Sequence, residues 1–464
     1  MNDPNFPEMQ ALLERHNQDH LLQFVAQLTD AQSRALLSQI HGIDFSLLNT
    51  SVEPNTCDSV SRAERAAAPQ SVIHQPNSAE DHQIRGAAEE IGCQLLRDGK
   101  VAVITVAGGQ GSRLGFDHPK GLYPIGPKSE RTLFQVFAEQ ILARRQHHNA
   151  AIPWYLMTSA ATHDETVAFF EQKKFFGVGS DTVAFFQQAS LPAIDAETGK
   201  ILMDSPGSLC LSPDGHGGMV AALYASGCLG RLADAGVEHV FYHQVDNPTV
   251  ILCDPVLIGL HHQQASQLTT NVVCRTDPAE RMGVLVDIDG HTEIIEYSEL
   301  SPEQSAARDE NGQWIFWAGN TAIHVFRRDF LKYLTDGEIR LPLHQARKKL
   351  ACIDVNGTTV HPQKRDAIKF ERFIFDALPL AQRSLIVEGD RQREFNPVKN
   401  PDGNDSPQTS RDALSRIGRE WLRAAGETVD DEAVVEISPL VALTSEQLVE
   451  RLARGDITRD ELVG

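Results

Sequence analysis

A glycine-rich segment at residues 107–115 directly follows an apolar run at residues 101–106. A short apolar run bounded by glycine suits a strand that is buried on both faces. Glycine lets the main chain approach a ligand closely and adopt positive φ, so that successive N–H groups can bind phosphate oxygens or the edge of a base. Arg113 adds a guanidinium whose fork geometry suits phosphate. By itself the segment is equally compatible with a plain glycine-rich turn.

Two common phosphate-binding motifs do not fit this segment. A P-loop ends in Gly-Lys-Ser/Thr, whereas Gly111-Ser112-Arg113 stands at that place here. The dinucleotide fingerprint G-x-G-x-x-G requires its last glycine one residue before Gly115. Lys120 follows shortly afterwards, where its ammonium group can reach a phosphate that the glycine segment holds. The sequence therefore favours a phosphate site of another type.

Three further charged residues could face an anion or a metal. Asp246 follows the apolar run at residues 240–245, and a carboxylate at a strand end beside a polyphosphate suits Mg²⁺. The same aspartate could form an Asx turn before Pro248. Lys369 and Lys399 have apolar neighbours, where a lysine either snorkels along a core element or points at an anion. The residue types alone leave these alternatives open.

The elements that must position these residues alternate between strand and helix from about residue 84. This alternation predicts an α/β fold with a doubly wound, mostly parallel central sheet, in which ligands bind beyond the carboxyl ends of the strands. Residues 272–326 are richer in β pattern, which indicates an antiparallel lobe beside the main sheet. The predicted strands are residues 101–106, 152–157, 182–186 and 239–245, and a predicted helix covers residues 133–142.

The chain divides into four predicted parts. Residues 1–48 have helical periodicity and form an N-terminal helical segment. Residues 49–83 lose this periodicity and fill with Ser, Asn, Asp, Pro and Gln, which is typical of a linker or an extended arm. Residues 84–399 form the α/β domain with the candidate site, and residues 400–464 form a small C-terminal domain with a helix near residues 410–425.

Composition narrows the possible partners and the compartment. The net charge of -21 disfavours nucleic acid and anionic membranes as partners, so local cations must reverse the field at any polyanion site. The N-terminus lacks a signal-peptide pattern and no apolar run reaches transmembrane length. The 7 cysteines are scattered without metal-ligand spacing. We therefore expect a cytoplasmic protein, whose oligomeric state the sequence leaves open.

A strand followed by G-G-x-G-[ST]-R-L-G and then P-K-G is the signature of sugar nucleotidyltransferases. The sequence resembles the eukaryotic-type family of UDP-N-acetylhexosamine pyrophosphorylases and UTP–glucose-1-phosphate uridylyltransferases, and is closest to the former. The resemblance makes residues 84–399 a nucleotidyltransferase domain. Further matching stretches are Thr132-Leu-Phe-Gln135, Phe185-Phe-Gln-Gln188, Pro213-Asp-Gly-His-Gly-Gly218, Val245-Asp-Asn247, Ile295-Glu-Tyr-Ser-Glu299, Ala318-Gly-Asn320, the segment at residues 368–376 and Phe395-Asn-Pro-Val-Lys-Asn400.

The resemblance implies a reaction of UTP with a sugar 1-phosphate, with Mg²⁺ as cofactor, that gives a UDP-sugar and pyrophosphate. Catalysis would fall to Arg113 on the β- and γ-phosphates and to Lys120 and Lys369 around the α-phosphate. Asp246 would hold the metal, and no general base is needed because the attacking phosphate is already an anion. The residues implied in nucleotide binding are Val106, Ala107, Gly108, Gly109, Lys120, Gln188, Gly215, Asp246 and Lys369.

The sugar phosphate would be bound by a second set of residues. Glu296 and Tyr297 lie on a predicted strand and Asn320 on a predicted loop, and the resemblance places all three around the sugar hydroxyls. The complete set is His216, Gly283, Glu296, Tyr297, Asn320 and Lys399.

Gln188 and His216 can also be explained without a role in ligand binding. The amide of Gln188 matches the imide edge of uracil because it offers a donor and an acceptor, but a glutamine just past a strand can also be a surface loop residue. A lone histidine is usually structural, although the glycines on either side of His216 favour a site. The N-acetylhexosamine enzymes usually carry Asn at this position and the glucose enzymes carry His. N-acetylglucosamine 1-phosphate is therefore the first expectation, with glucose or galactose 1-phosphate as the alternative.

Two other function classes fit the sequence less well. An NAD-dependent oxidoreductase requires an acidic residue at the end of the second strand to bind ribose, but that strand ends in Met157-Thr-Ser159. A non-catalytic protein that binds nucleotide sugars would be expected to lose the charged residues first. Arg113 and Lys120 are both present, as are the charged residues at positions 246, 369 and 399. The sequence therefore favours an enzyme.

Overall fold

The chain forms a mixed α/β structure that divides into two compact units. A computed structural model describes residues 6–46, 62–336, 341–364, 366–457 and 462. The larger unit lies within Ser59–Gln187, Met219–Arg340 and Phe375–Gly464, and the smaller unit within Met1–Asp58, Gln188–Gly218 and Leu341–Ile374. Over the described ranges, no helix combines the length and the apolar character needed to cross a membrane.

The larger unit is built on a central sheet that has ten strands among the described residues. Along the row of eight strands that forms the body of the sheet, neighbouring strands are parallel, except that Ala318–Arg327 runs antiparallel to both of its neighbours in the row. Val284–Ile288 and His291–Ile295 form a hairpin that branches from the same strand. The order across the sheet is Val72–Ile73, Ser384–Glu388, Leu268–Cys274, Ala318–Arg327, His239–Gln244, Val101–Val106, Trp154–Thr158 and Val183–Gln187.

The central strands lie in the core of this unit because both of their faces are covered. Four of the six residues of Val101–Val106 are aliphatic side chains or alanine with at most 1% exposure, as expected for a strand inside a parallel sheet. Phe134 and Phe137 of Leu133–His148 and Trp154 of the next strand are fully buried in the same cluster. The helices of the unit are Ala79–Arg97, Leu133–His148, His163–Gln172, Met219–Ala225, Cys228–Asp234, Pro255–Gln263, Pro302–Ser305, Arg328–Tyr333, Arg391–Glu394, Pro407–Ala424 and Ser445–Arg454.

The strand order reverses beside Val101–Val106. The next two strands of this sheet along the chain, Trp154–Thr158 and Val183–Gln187, lie on one side of it, and His239–Gln244 lies on the other. A reversal of this kind opens a crevice at the carboxyl ends of the two central parallel strands, where α/β proteins bind their ligands. The glycine segment and Asp246 follow those two strand ends, so the fold brings both to one crevice.

The smaller unit combines two N-terminal helices with short antiparallel strands. The helices are Phe6–Arg15 and Asp30–His41, and buried Leu13, Leu36 and Ile40 pack in one cluster with Ile194 and Ile368. The strands are Ser190–Pro192, Ile194–Asp195, Met203–Ser205, Ser208–Leu209, Leu211–Pro213, His344–Lys348, Cys352–Ile353, Thr359–Val360 and Ala367–Glu371.

The predicted fold class is confirmed, and most predicted strands lie within two residues of their observed bounds. The helix expected near residues 410–425 covers Pro407–Ala424. The alternation of strands and helices was predicted from about residue 84 but begins earlier, with a helix at Ala79, where Ser78 and Asp81 form a reciprocal capping box. Within the predicted linker, residues 49–61 lie outside the described residues, and Val72–Ile73 pairs with Ser384–Glu388.

Candidate active site

The glycine segment folds back on itself as a short hairpin. Gln110–Gly111 pairs with Phe116–Pro119, and the turn between them contains Arg113. The hairpin returns the chain to its start, where the backbone N–H of Lys120 donates to the carbonyl of Gly109 over 3.1 Å. The Ser159 hydroxyl donates to the carbonyl of Gly108 over 2.8 Å and fixes the first glycine from the neighbouring strand end.

Val106 and Ala107 belong to the sheet as well as to the glycine segment. The carbonyl of Val106 accepts from the N–H of Val245 over 3.0 Å, and the N–H of Ala107 donates to Met157 over 2.8 Å. These groups are therefore occupied by neighbouring strands.

One pocket of about 350 Å³ collects the charged residues of this crevice. Arg113, Lys120 and Lys399 line it together with Gly109 and the carboxylate of Asp246. Three cations around one carboxylate give the pocket a local positive charge, although the chain carries a net charge of -21. Such a local reversal of the field favours a polyanionic ligand.

Asp246 is positioned by its neighbour Asn247. The side-chain oxygen of Asn247 accepts from the N–H and the hydroxyl of Thr249, which is an Asx turn, and also from the N–H of Asn396. Its amide donates to the carbonyl of Glu394 over 2.6 Å. Because Asn247 makes the turn, the Asp246 carboxylate remains available and forms an ion pair with Lys120 at 3.7 Å.

Lys399 reaches the pocket through a separate segment that is tied to the same turn. The N–H of Val398 donates to the carbonyl of Asp246 over 2.8 Å. The N–H of Lys399 donates to the carbonyl of Asp405 over 2.6 Å, and its ammonium lies 5.2 Å from the ring centre of Phe395. Burial raises the pKa of the Asp405 carboxyl, while Lys399 acts in the opposite direction. The backbone on both sides of Lys399 is therefore fixed.

The residues expected at the sugar form a second group in the larger unit. The N–H of Asn320 donates to the carbonyl of Gly283 over 2.9 Å, and the Glu296 carboxylate lies beside Gly283. Tyr297 is 47% exposed, so its ring is not a core residue. These four residues thus cluster around the Val284–Ile288 hairpin.

Two local predictions for this group were wrong. Glu296 and Tyr297 follow the strand His291–Ile295 instead of lying on it, because the chain turns into a 3₁₀ helix at Tyr297–Glu299. Asn320 lies inside the strand Ala318–Arg327 and not on a loop. The strand carries a bulge there, with Ala322 at φ 58° and its N–H donating to the side chain of Asn320. Bulges re-aim side chains next to functional sites.

The smaller unit brings together the other predicted residues. Ser190 pairs with Pro213, and the carbonyl of Ala189 accepts from Asp214, so Gln188 lies beside the second glycine loop. Gln188 is 7% exposed and follows a strand as predicted, which excludes the surface-loop interpretation.

The strand with Lys369 packs against the same loop. The N–H of Arg372 donates to the carbonyl of Asp214 over 2.7 Å, and the N–H of Gly217 donates to the carbonyl of Arg372 over 2.8 Å. Gly215 has φ 85°, and a Cβ there would lie 2.5 Å from the Arg372 carbonyl, so no other residue fits. Lys369 stands three residues before Arg372, on Ala367–Glu371.

His216 is fixed on two sides in this loop. Its Nδ1 accepts from the N–H of Ile374 over 3.1 Å, and its ring stacks on Phe373 with centres 5.4 Å apart. The neutral ring therefore carries its proton on Nε2.

Sequence reasoning missed the ion pair that holds this loop. The Asp214 carboxylate is 1% exposed and pairs with the Arg372 guanidinium at 3.4 Å. Burial raises the pKa of Asp214 to about 6, and Arg372 opposes that rise. An aspartate between a proline and a glycine has the sequence pattern of an ordinary turn residue. Its role depends on Arg372, which lies far away in the sequence, so no local pattern predicts the ion pair.

A comparison with known families shows to which family the chain belongs. The model of the UTP–glucose-1-phosphate uridylyltransferase family matches residues 56–450. The chain belongs to this uridylyltransferase family. The resemblance predicted from the sequence motifs is thereby confirmed.

Relatives of this uridylyltransferase family member align over most of its length. A probable UDP-N-acetylglucosamine pyrophosphorylase of Dictyostelium discoideum is 37% identical over 78% of both chains. The UDP-N-acetylglucosamine pyrophosphorylase of Saccharomyces cerevisiae is 34% identical over 94% of this chain and 92% of its own. A similar fold is found in the crystal structure of the uridine diphosphate N-acetylglucosamine pyrophosphorylase from Trypanosoma brucei, in complex with an inhibitor. The two structures superimpose with a TM-score of 0.82 at 27% sequence identity, and the match covers 98% of this chain and 96% of that one.

Proposed function

We infer that the chain is a uridylyltransferase, which forms UDP-N-acetylglucosamine and pyrophosphate from UTP and N-acetylglucosamine 1-phosphate. One observation of the structure supports this most directly: Arg113, Lys120 and Lys399 surround the Asp246 carboxylate in a crevice at the carboxyl ends of two parallel strands. The site suits a polyanion with a divalent cation. The Dictyostelium and yeast relatives are both named for UDP-N-acetylglucosamine.

Mg²⁺ fits the donor set of this crevice. Among the described residues that line the pocket, Asp246 is the one carboxylate, and the phosphates would supply further oxygens. Mg²⁺ is commonly bound in this way, by one or two carboxylates together with substrate phosphates. When bound, the ion neutralises charge that develops on the phosphate oxygens.

The reaction needs alignment and charge stabilisation rather than a general base. A phosphate oxygen of the sugar 1-phosphate attacks the α-phosphorus of UTP, and the bond to pyrophosphate breaks in line. Arg113 holds the β- and γ-phosphates, Lys120 stabilises the α-phosphate and Lys399 holds the incoming phosphate. Each such charge in a preorganised site lowers the barrier by about 3 kcal/mol, which is roughly a hundredfold in rate.

The remaining predicted residues bind the base, the nucleotide phosphates and the sugar. In the smaller unit, Gln188 binds the uracil edge, the backbone of Gly215 packs on the nucleotide and Lys369 binds its phosphates. In the larger unit, the main chain of Val106, Ala107, Gly108 and Gly109 binds the nucleotide. In the larger unit, Gly283, Glu296, Tyr297 and Asn320 bind the sugar hydroxyls and the acetamido group. The sugar-phosphate residue that we propose in the smaller unit is His216.

For the sugar substrate, one observation favours a second candidate. His216 stands where the N-acetylhexosamine enzymes usually carry Asn, and this favours glucose or galactose 1-phosphate as the second candidate. The glucose enzymes themselves use histidine at that position. A panel of sugar 1-phosphates separates the candidates by kcat/KM.

The test is pyrophosphate release from the purified chain with UTP, MgCl₂ and each member of that panel. We expect release with N-acetylglucosamine 1-phosphate to have the highest kcat/KM. Fastest release with glucose 1-phosphate would support the second candidate. UTP binding without pyrophosphate release from any sugar phosphate would reject the enzyme and support a nucleotide-sugar binding protein.

The cytoplasm is the compartment we propose. Six cysteines of the described residues are free thiols, among them the exposed Cys274 and the buried Cys253. Free thiols of this kind are typical of reducing compartments.

A further inference from the structure

Two adjacent residues of the helix Pro407–Ala424 bind the backbone of two different segments of the larger unit. The hydroxyl of Ser410 donates to the carbonyl of Asn396 over 2.8 Å. The guanidinium of Arg411 donates to the carbonyl of Pro124, also over 2.8 Å. A single turn of this helix therefore joins two segments that lie far apart in the sequence.

The segment that Ser410 holds leads to Lys399. Ser410 is fully buried, and its hydroxyl lies 3.3 Å from a second carbonyl, that of Pro397. Lys399 follows two residues later, and its N–H donates to the carbonyl of Asp405, which directly precedes the helix cap Ser406. The backbone before and after the Lys399 side chain is thus fixed to the beginning of one helix.

The segment that Arg411 holds begins at Lys120. The carbonyl of Lys120 accepts from the N–H of Tyr123 over 3.0 Å, and the carbonyl of Tyr123 accepts from the N–H of Leu133 over 3.1 Å. Pro124, whose carbonyl binds Arg411, directly follows Tyr123 in the chain. Arg411 is therefore bound to the short turn that starts with Lys120.

The two lysines are also connected at the pocket that both of them line. The ammonium group of Lys120 lies 3.7 Å from the Asp246 carboxylate, and the N–H of Val398 donates to the Asp246 carbonyl over 2.8 Å. The first of these contacts is a long ion pair between flexible side chains, so it does not fix a distance by itself. The helix connects the two backbones by a second, independent route.

We propose that Ser410 and Arg411 are positioning residues that set the spacing between Lys399 and Lys120. The inference rests on the proposed reaction, in which Lys120 stabilises the α-phosphate and Lys399 holds the incoming phosphate. In-line attack requires the reacting atoms to lie about 3–3.5 Å apart, and a misplacement of about 1 Å can cost about a hundredfold in rate. The helix therefore contributes to kcat without touching a substrate.

The first measurement follows the two lysines directly and does not depend on activity. The protein is labelled with limiting acetic anhydride, and the labelling rates of Lys120 and Lys399 are determined by peptide mass spectrometry. Arg411→Met should raise the rate of Lys120 about threefold or more, because an amine that moves away from a carboxylate loses its proton more readily. The rate of Lys399 should stay as in the wild type. Ser410→Ala should change the rate of Lys399 and leave that of Lys120.

Arg419 provides a matched control on the same helix. Its guanidinium donates to the carbonyl of Ala433 over 2.8 Å, so Arg419→Met removes the same kind of hydrogen bond outside the two lysine segments. Both labelling rates should then equal those of the wild type. The proposal is overturned if Arg419→Met and Arg411→Met change the rates alike, or if each lysine is labelled at the wild-type rate when its own contact is removed.

Steady-state kinetics connects the spacing to the reaction. Arg411→Met and Ser410→Ala should each lower kcat for pyrophosphate release about tenfold and change the KM values less, because the substrates still bind but are misaligned. Arg411→Lys keeps a donor and should recover part of the loss. Altered labelling with an unchanged kcat would overturn the positioning role. If the wild type released no pyrophosphate although the labelling followed the expected pattern, the proposed function would fail and the link between the lysines would stand.

Discussion

The ammonium group of Lys120 lies 3.7 Å from the carboxylate of Asp246, and each side chain is 16% exposed. This distance is longer than the 2.7–3.2 Å of a direct hydrogen bond, so the two charges attract each other without a tight contact. Partly exposed pairs of this kind contribute about 0–1 kcal/mol to stability. Both groups are therefore available to a ligand, and their replacement should change the reaction more than the folding.

Lys120→Ala should lower kcat for pyrophosphate release about a hundredfold or more, because a preorganised charge near the α-phosphate is lost. The thermal unfolding temperature should stay close to that of the wild type. The measurement is steady-state kinetics with saturating UTP, MgCl₂ and N-acetylglucosamine 1-phosphate. Near-wild-type release would show that Lys120 has another role.

Asp246→Asn should weaken the binding of Mg²⁺, since the amide has lost the charge that a hard cation prefers while the size is kept. The Asx turn of Asn247 leaves the backbone in place. We expect a rise in the Mg²⁺ concentration that gives half-maximal rate, with partial recovery of kcat at high Mg²⁺. An unchanged Mg²⁺ titration with full activity would rule out Asp246 as the metal ligand.

His216→Asn should raise the preference for N-acetylglucosamine 1-phosphate over glucose 1-phosphate. The ring now accepts from Ile374 and stacks on Phe373, and the smaller amide opens space beside the loop while keeping an acceptor. A single pocket contact of this kind changes kcat/KM ratios by about 10-fold to 200-fold. A ratio that stays constant across the sugar panel would remove His216 from the specificity residues.

The sequence predicted the central sheet well because its signals are local. Val101–Val106 is an uninterrupted apolar run, and Asp246 follows a second such run, so the rule for strand ends places both at one edge of the sheet. The start of the helix Ala79–Arg97 was also readable, since Ser78 and Asp81 have the spacing of a capping box. The prediction missed it because residues 49–83 were interpreted from their composition as a linker or an extended arm.

The parts that could not be predicted depend on residues far apart in the chain. Ile194 pairs with Ile368, and no local pattern announces a pairing over such a separation. The ion pair of Asp214 with Arg372 likewise joins two residues that lie far apart in the chain, so no local pattern predicts it. The bulge that re-aims Asn320 depends on the register between two strands, which periodicity alone does not fix.

The protein should lose stability as the pH falls below 6.5, because buried histidines must be protonated on unfolding. Burial lowers the pKa of His148 to about 4 and that of His243 to about 3. The unfolded chain binds these protons near pH 6.5 and the folded chain does not, so stability is complete above pH 6.5 and declines below it. Each such histidine should cost about 1 kcal/mol between pH 7.5 and 5.5.

His148 is the residue that isolates this effect. Neither of its ring nitrogens has a hydrogen-bond partner among the described residues, so His148→Met removes a titrating group without breaking a bond. The loss of unfolding free energy between pH 7.5 and 5.5 should shrink by about 1 kcal/mol in urea titrations. His147→Met, at the exposed neighbouring position, should leave the loss as in the wild type. Equal losses in the two variants would contradict the assignment.

Two helices of the larger unit touch backbone to backbone at glycine. A Cβ at Gly92 would lie 1.9 Å from the carbonyl oxygen of Pro255, and a Cβ at Gly259 would lie 1.8 Å from that of Ala88. Gly92→Ala must therefore push Ala79–Arg97 away from its partner helix, and overpacking of this kind costs about 1–3 kcal/mol.

Gly86 provides the matched control on the same helix. It is exposed, and a Cβ there meets nothing within 4 Å, so Gly86→Ala should gain about 0.5–1 kcal/mol from helix propensity. Urea unfolding of the two variants should therefore move the midpoint in opposite directions from the wild type. If Gly92→Ala were as stable as Gly86→Ala, the helices would have room to separate and the close crossing would not constrain the fold.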